Sequence, residues 1–164
     1  MTHATFAPTQ HIILLQALRS APARVAEIMT SLPDEAHEGR PAPDQWNMLQ
    51  LVAHLAAAEP PFLKRVTRIV EEDRPWLPYF GPDVARPESD EPMPGLLSQF
   101  RARRDGLLKF LSALPLEAWE RPATHETMGP TTLAAQVQNI ANHDTEHLGQ
   151  LYELRRAWEN QAHV

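Results

Sequence analysis

Apolar residues recur at three- and four-residue steps in four long stretches of the chain, and none of these stretches shows the two-residue alternation of a half-buried strand. The first runs from about Thr9 to Ser31, with Leu14, Leu15, Leu18, Val25, Ile28 and Met29 on one face and Leu32 just beyond. Pro22 lies inside it and predicts a kink, because proline brings no N–H to the helical ladder. The second stretch starts after Asn47. Asn47 and Gln50, three residues on, have the form of a capping box, and Trp46 just before them is placed to staple onto Leu51. Its apolar stripe continues through Leu51, Val52, Leu55 and Ala58, and resumes at Phe62, Val66, Ile69 and Val70. Between the two parts stands Pro60-Pro61, where a kink or short break is predicted. The third stretch covers about Pro94 to Leu114, with Leu97, Phe100, Leu107, Leu108, Leu111 and Leu114 inward. The fourth covers about Thr131 to Asn160, with Leu133, Val137, Ile140, His147, Leu151, Leu154 and Trp158 on one stripe.

The joints are marked by proline. Pro33 to Asp44 is a loop by composition, and a second loop, LPLEAWERPATHETMGP, precedes the last stretch. Asp73 to Pro94 holds six prolines and the aromatics Trp76, Tyr79 and Phe80, a long connection of the kind that crosses a bundle or lines a site. Four helices, a long crossover between the second and third, and no strands predict an all-α four-helix bundle. The 164 residues suit one domain spanning residues 1–164.

Composition narrows the chemistry. A net charge of −6 and a pI near 5.7 argue against a nucleic-acid partner. The run Arg101, Arg103, Arg104 reads as a solvated helix face. With no cysteine there is no disulfide, no thiol nucleophile and no thiolate metal site, which leaves His, Asp and Glu as ligands. The opening MTHATFAPTQ lacks the layout of a signal peptide, and no apolar stretch approaches the roughly 20 residues of a membrane span. A cytoplasmic protein without a membrane partner is expected.

Of eight histidines, His3, His11, His37, His125 and His163 lie near the termini or in polar loops and read as solvated. His143 and His147 differ. Four residues turn a helix by about 400°, so the two side chains leave one face about 40° and about 6 Å apart. His54 adds a third imidazole, set within LQLVAHLAAAE on the second stretch. Two interpretations stand side by side: core histidines that each find a hydrogen-bond partner, or a three-histidine site with open positions for water or substrate. Asp144, next to His143, is a candidate acceptor to orient a ligand imidazole from behind, whereas Glu59 lies one and a half turns past His54 and is expected to point elsewhere. The inward Glu-x-x-His pairs of di-iron bundles are absent, and HDTEH is not the H-E-x-x-H of zinc proteases. No aspartate follows Asp144, as an HD-type phosphohydrolase would need.

WNMLQLVAHL (Trp46 to Leu55), followed about ninety residues later by NHDTEHLGQL (Asn142 to Leu151), resembles the DinB/YfiT-like superfamily. The likeness rests on Trp46, His54, Leu55, His143, His147, Gly149 and Gln150 and extends to helix order along nearly the whole chain. It implies a divalent ion, zinc or nickel, held by His54, His143 and His147, and a homodimer. It also implies a transferase of low-molecular-weight thiols (bacillithiol, mycothiol, glutathione), or a relative of the thiol-dependent maleylpyruvate isomerases. In that expectation a metal-activated thiol attacks an electrophile held against the aromatic crossover. Metal-assisted hydrolysis, and a non-catalytic metal-binding stress-response bundle, are the alternatives. Many relatives carry a second histidine just before the last ligand, where this chain has Glu146. Gly149, one turn beyond the ligands, is expected to let a neighbouring helix or a substrate approach closely.

Overall fold

The computed structural model describes residues 8–40, 42–81 and 85–161; His3 and His163 lie outside them. The four apolar stretches form helices α1 (Pro8–Thr30), α3 (Met48–Glu71), α4 (Met93–Ser112) and α5 (Leu133–Gln161), with a short α2 (Asp34–Glu38) after the first. α1 and α3 each pack against both α4 and α5, so α1 and α3 face each other across a diagonal of the bundle. The start of α3 is fixed as its sequence implies. Gln50 N donates to Asn47 Oδ1 at 2.8 Å and Asn47 N donates to Gln50 Oε1 at 3.1 Å, so each side chain satisfies an amide that a helix start leaves unpaired.

The prolines do not interrupt the helices. α1 runs on through Pro22 and α3 through Pro60 and Pro61. A helical proline leaves the carbonyl four residues earlier without its N–H partner. Two consecutive arginines of α4 answer two of the three carbonyls freed by Pro22, Pro60 and Pro61: Arg104 Nη1 donates to Leu18 O at 2.9 Å, and Arg103 Nη1 donates to Ala56 O at 2.7 Å. The carbonyls opened by Pro22 and Pro60 thus take their donors from a neighbouring helix.

This overturns the expectation of a solvated arginine face. Arg101 and Arg103 are exposed, but Arg104 is fully buried. Glu59, expected to point away, is buried against it. Arg104 Nε and Nη2 donate to Glu59 at 3.0 and 2.6 Å, and Nη1 and Nη2 donate to Asp144 at 2.6 and 3.0 Å. With Leu18 O, all five guanidinium N–H bonds are used. The layer divides the core in two. Leu18, Val66, Leu107 and Ile140 belong to one apolar cluster; Ala21, Leu55, Phe100 and Leu148 belong to the other.

A small sheet, also unforeseen, occupies the segments expected to be loops. β2 (Pro122–His125) and β3 (Gly129–Thr132) form a hairpin, and β1 (Trp76–Leu77) from the crossover adds to β2 in parallel. The strands are short and carry Pro122 and Pro130, which hid them from a search for alternation. Pro130 is tolerated because β3 is an edge strand. The three-residue turn closes at Gly129, whose φ of 72° is one that side-chain-bearing residues rarely adopt. A 3₁₀ turn, Leu116–Glu120, buries Trp119 beneath α5.

Breaking the buried layer on one side is predicted to be costly. Arg104→Met strands Glu59 and Asp144 as uncompensated buried acids and should lower unfolding free energy by about 3–5 kcal/mol in urea titrations. Adding Glu59→Leu and Asp144→Leu to that variant should recover most of the loss, since a layer replaced as a whole leaves no stranded charge.

Candidate metal centre

His54 projects from α3, and His143 and His147 from successive turns of α5. Their Nε2 atoms converge: His54 lies 2.9 Å from His143, His147 lies 3.2 Å from His143, and one nitrogen from each ring falls within 4.8 Å of the others. The far sides of two rings are anchored. His54 Nδ1 donates to Ala85 O at 2.6 Å, which a carbonyl permits only if Nδ1 carries the proton. His147 Nδ1 donates to Gln150 Oε1 at 2.8 Å. In their neutral forms both rings therefore aim an Nε2 lone pair at His143. A single imidazole proton can satisfy only one of these two lone pairs, whereas a cation between the rings satisfies all three nitrogens. Two nitrogens each about 2.0–2.1 Å from one ion lie about 3 Å apart, close to the separations seen here. The three donors form a group able to hold a metal ion.

The surroundings disfavour charge on two of these rings, His147 and His54. Burial first, and then the two neighbouring imidazoles, lower the pKa of His147 to about 4, with the bond to Gln150 and the Glu146 charge only partly opposing them. Burial likewise lowers His54, against the pull of its Ala85 bond. His143 Nδ1 is buried without a hydrogen bond, 4.0 Å from Asp144 Oδ1. Asp144 thus stands behind the ring where the sequence placed it, but its strong bonds go to Arg104. Burial alone would raise the Asp144 carboxyl; the adjacent His143 and Arg104 hold it below the ordinary range, whereas for Glu59 burial prevails and the pKa rises.

Aromatic rings wall the group. Trp46, expected mainly to staple the start of α3, lies 4.9 Å from the His54 ring and 6.3 Å from that of His147. Phe62 meets His143 edge-on at 5.2 Å. On one side opens a cavity of about 540 Å³, lined by His54 and His143 and by Trp46, Phe62, Tyr79 and Phe80. That the crossover aromatics Tyr79 and Phe80 line it agrees with the expected role of this connection. A second hollow of about 690 Å³, bordered by Asp44, Glu153 and Arg156, lies against Trp46, His147 and Gln150.

Several sequence expectations need correction. His125 is buried in β2 and lines the first cavity, and His37 is buried with Nε2 2.7 Å from Met29 O. His11 packs edge-on against Trp119 at 4.6 Å. A Cβ at Gly149 would meet nothing within 4 Å, so no close approach explains that glycine. Glu146, at the departure from the His-His pattern, is exposed. Ala85 O and the buried Glu59–Arg104 pair were missed. No sequence signal marked the carbonyl, but Glu59 and Arg104 sit on the apolar stripes of their helices, where a charge is conspicuous.

Comparison with known proteins identifies the family and the fold. The sequence pattern of the DinB superfamily matches residues 17–151. A protein of Oceanobacillus iheyensis named "Putative metal-dependent hydrolase OB0413" is 21% identical over 139 residues, covering 84% of this chain and 80% of that one. Among solved structures, YfiT from Bacillus subtilis, described as "a probable metal-dependent hydrolase with an unusual four-helix bundle topology", superposes with a TM-score of 0.82 at 18% identity, over 97% of this chain and 93% of that one. The expected bundle and the expected resemblance are both borne out.

Metal-free protein should lose stability as pH falls. Unfolded histidines take up protons near pH 6.5, while folded His147 resists until about 4, so between these values the unfolded state binds more protons and is favoured by acid. The urea midpoint of chelator-treated protein should drop from about pH 7 to about pH 5, and His147→Gln should flatten that drop.

Proposed function

This chain belongs to the DinB superfamily, and from that membership we propose a metal-dependent enzyme in which His54, His143 and His147 hold a divalent ion, zinc or nickel, that activates a low-molecular-weight thiol for transfer to an electrophile. When bound, the ion supplies a Lewis-acidic position at which a thiol is held as its nucleophilic thiolate. The observation that carries the proposal is the character of the adjoining cavity: no Asp or Glu is among its described lining residues. A water nucleophile commonly relies on a positioned base to manage its protons, whereas a thiol already ionised at a metal needs none. The chain's own residues then have simple tasks. The Ala85 carbonyl and Gln150 fix two imidazoles, Trp46 and Phe62 screen the donors from water, and Tyr79 and Phe80 offer apolar faces to the electrophile.

Metal-assisted hydrolysis is the second reading, favoured by the names of the two relatives. His125 is its best candidate for a base: it is the described histidine of the cavity outside the three-histidine group, and burial and the nearby Arg65 both lower its pKa.

Purified protein offered zinc or nickel should take up one equivalent, and His54→Ala should not. Failure of the wild type to bind either metal would sink both readings. Gln150→Leu, which frees His147 Nδ1, should weaken metal affinity about 10–100-fold in a chelator competition. Metal-loaded protein given a generic electrophile with bacillithiol, mycothiol or glutathione should turn over with one of them. Turnover of an ester or amide without thiol would select hydrolysis instead.

A further inference from the structure

The cavity beside the histidines ends in a charge that the chain does not neutralise. Arg65 follows His54 by eleven residues on α3, which places the two within about 20° of the same helix face and about 16 Å apart along the axis. A helical side chain leans toward the N-terminus, so the long arginine reaches back along the cavity toward the metal group. Both residues line that cavity.

The environment of Arg65 is unusual for a partly buried cation. Nη2 donates to Pro78 O at 2.7 Å, Nη1 donates to Gln136 Oε1 at 3.3 Å, and the guanidinium lies 3.8 Å over the Phe80 ring. Nε is buried and has no hydrogen-bond partner. The nearby Glu126 accepts from Tyr79 N, and no carboxylate pairs with Arg65 among the described residues. Contrast Arg104, which the same fold surrounds with two acids and leaves no donor idle. Burial costs an unpaired cation free energy, and burial lowers the pKa of Arg65 accordingly.

The guanidinium is nevertheless held in place. Gln136 is 1% exposed, and its amide nitrogen donates to Thr131 Oγ1 at 3.1 Å, which turns its oxygen toward Arg65. His125 stands nearby and lines the same cavity. Its Nδ1 accepts from Thr127 N at 3.3 Å, which leaves Nε2 as the protonated nitrogen of the neutral ring. The site therefore offers one fixed positive fork and a neutral imidazole donor. That complement suits a monoanionic carboxylate; a phosphate dianion would call for a second cation.

We propose that Arg65, oriented by Gln136 and stacked on Phe80, anchors the carboxylate of a small organic substrate whose apolar body fills the cavity and whose other end reaches the three histidines. Gln136 and His143 are seven residues apart on α5, about 10 Å of helical rise, which sets the length of molecule that spans the two ends. The lining between them is Ala58, Phe62, Ile140 and neighbouring apolar groups. The inference deepens the enzymatic reading above by naming the chemical class of its substrate.

Calorimetric titration of zinc-loaded protein with 5-phenylpentanoate and with uncharged 5-phenylpentan-1-ol tests it. Wild type should bind the acid about tenfold or more tightly than the alcohol. Arg65→Met should bind both equally while keeping the alcohol affinity of wild type. Arg65→Lys should retain part of the preference. Equal affinities in wild type would overturn the proposal. So would a preference that survives Arg65→Met, as it would if the carboxylate sat on the metal. Should Arg65→Met fail to fold, Gln136→Leu removes the orienting amide and should weaken the acid selectively; an unchanged preference there would count against the anchor. Neither probe carries a thiol, so failure here is distinct from failure of the metal and turnover measurements.

Discussion

Everything in this bundle is arranged about one guanidinium. Arg104 has its five N–H bonds answered by Glu59, Asp144 and the Leu18 carbonyl, so α1, α3 and α5 are each tied to α4 at a single level. Burial alone would depress its pKa, but the two carboxylates overcome burial and push it up, so the charge is permanent. A cation shared by two acids leaves the layer on the negative side of neutrality wherever both are ionised, and Asp144 is the immediate neighbour of His143. His54 and His147, whose protonation burial disfavours, stand with His143 over that layer, an arrangement that suits a positive ion.

The helix breakers belong to the same design. Pro22 opens the carbonyl that Arg104 uses, and Pro60 opens the one that Arg103 uses. What looks in the sequence like damage to two helices is, in the fold, the creation of two acceptors. Arg103 reaches its acceptor from an exposed position and Arg104 from a buried one, so the adjacent arginines have opposite burial for the same chemical task.

The long helices, the capping box and the inward stripes were legible because each depends on residues near one another in sequence. The meeting of His54 with His143 was legible only through the helical phase of each, since the two lie on separate helices. What escaped was decided by distant partners. Nothing local to Arg104 reveals two acids waiting on other helices. Nothing local to PATH or GPTT reveals that β1 will add to them, because strands this short take their identity from pairing. The Ala85 carbonyl that holds His54 is a backbone atom, which a sequence of side chains does not display. The expected reach of Gly149 failed for the opposite reason: a residue that could permit close contact was not asked to.

The single level of the polar layer also governs which lengths can change. One residue added to a helix between the layer and the histidines rotates everything beyond it by about 100° and advances it by about 1.5 Å. Such an insertion in α3 between His54 and Glu59 would turn the imidazole away from the group or the carboxylate away from Arg104. In α5, His143 and Asp144 are adjacent, so no residue can enter between donor and layer without splitting the pair. The connections that carry neither group, such as 39–46, bear no such phase relation. Descendants of this sequence should therefore vary in length in their loops and keep the helical spans between layer and histidines at constant count.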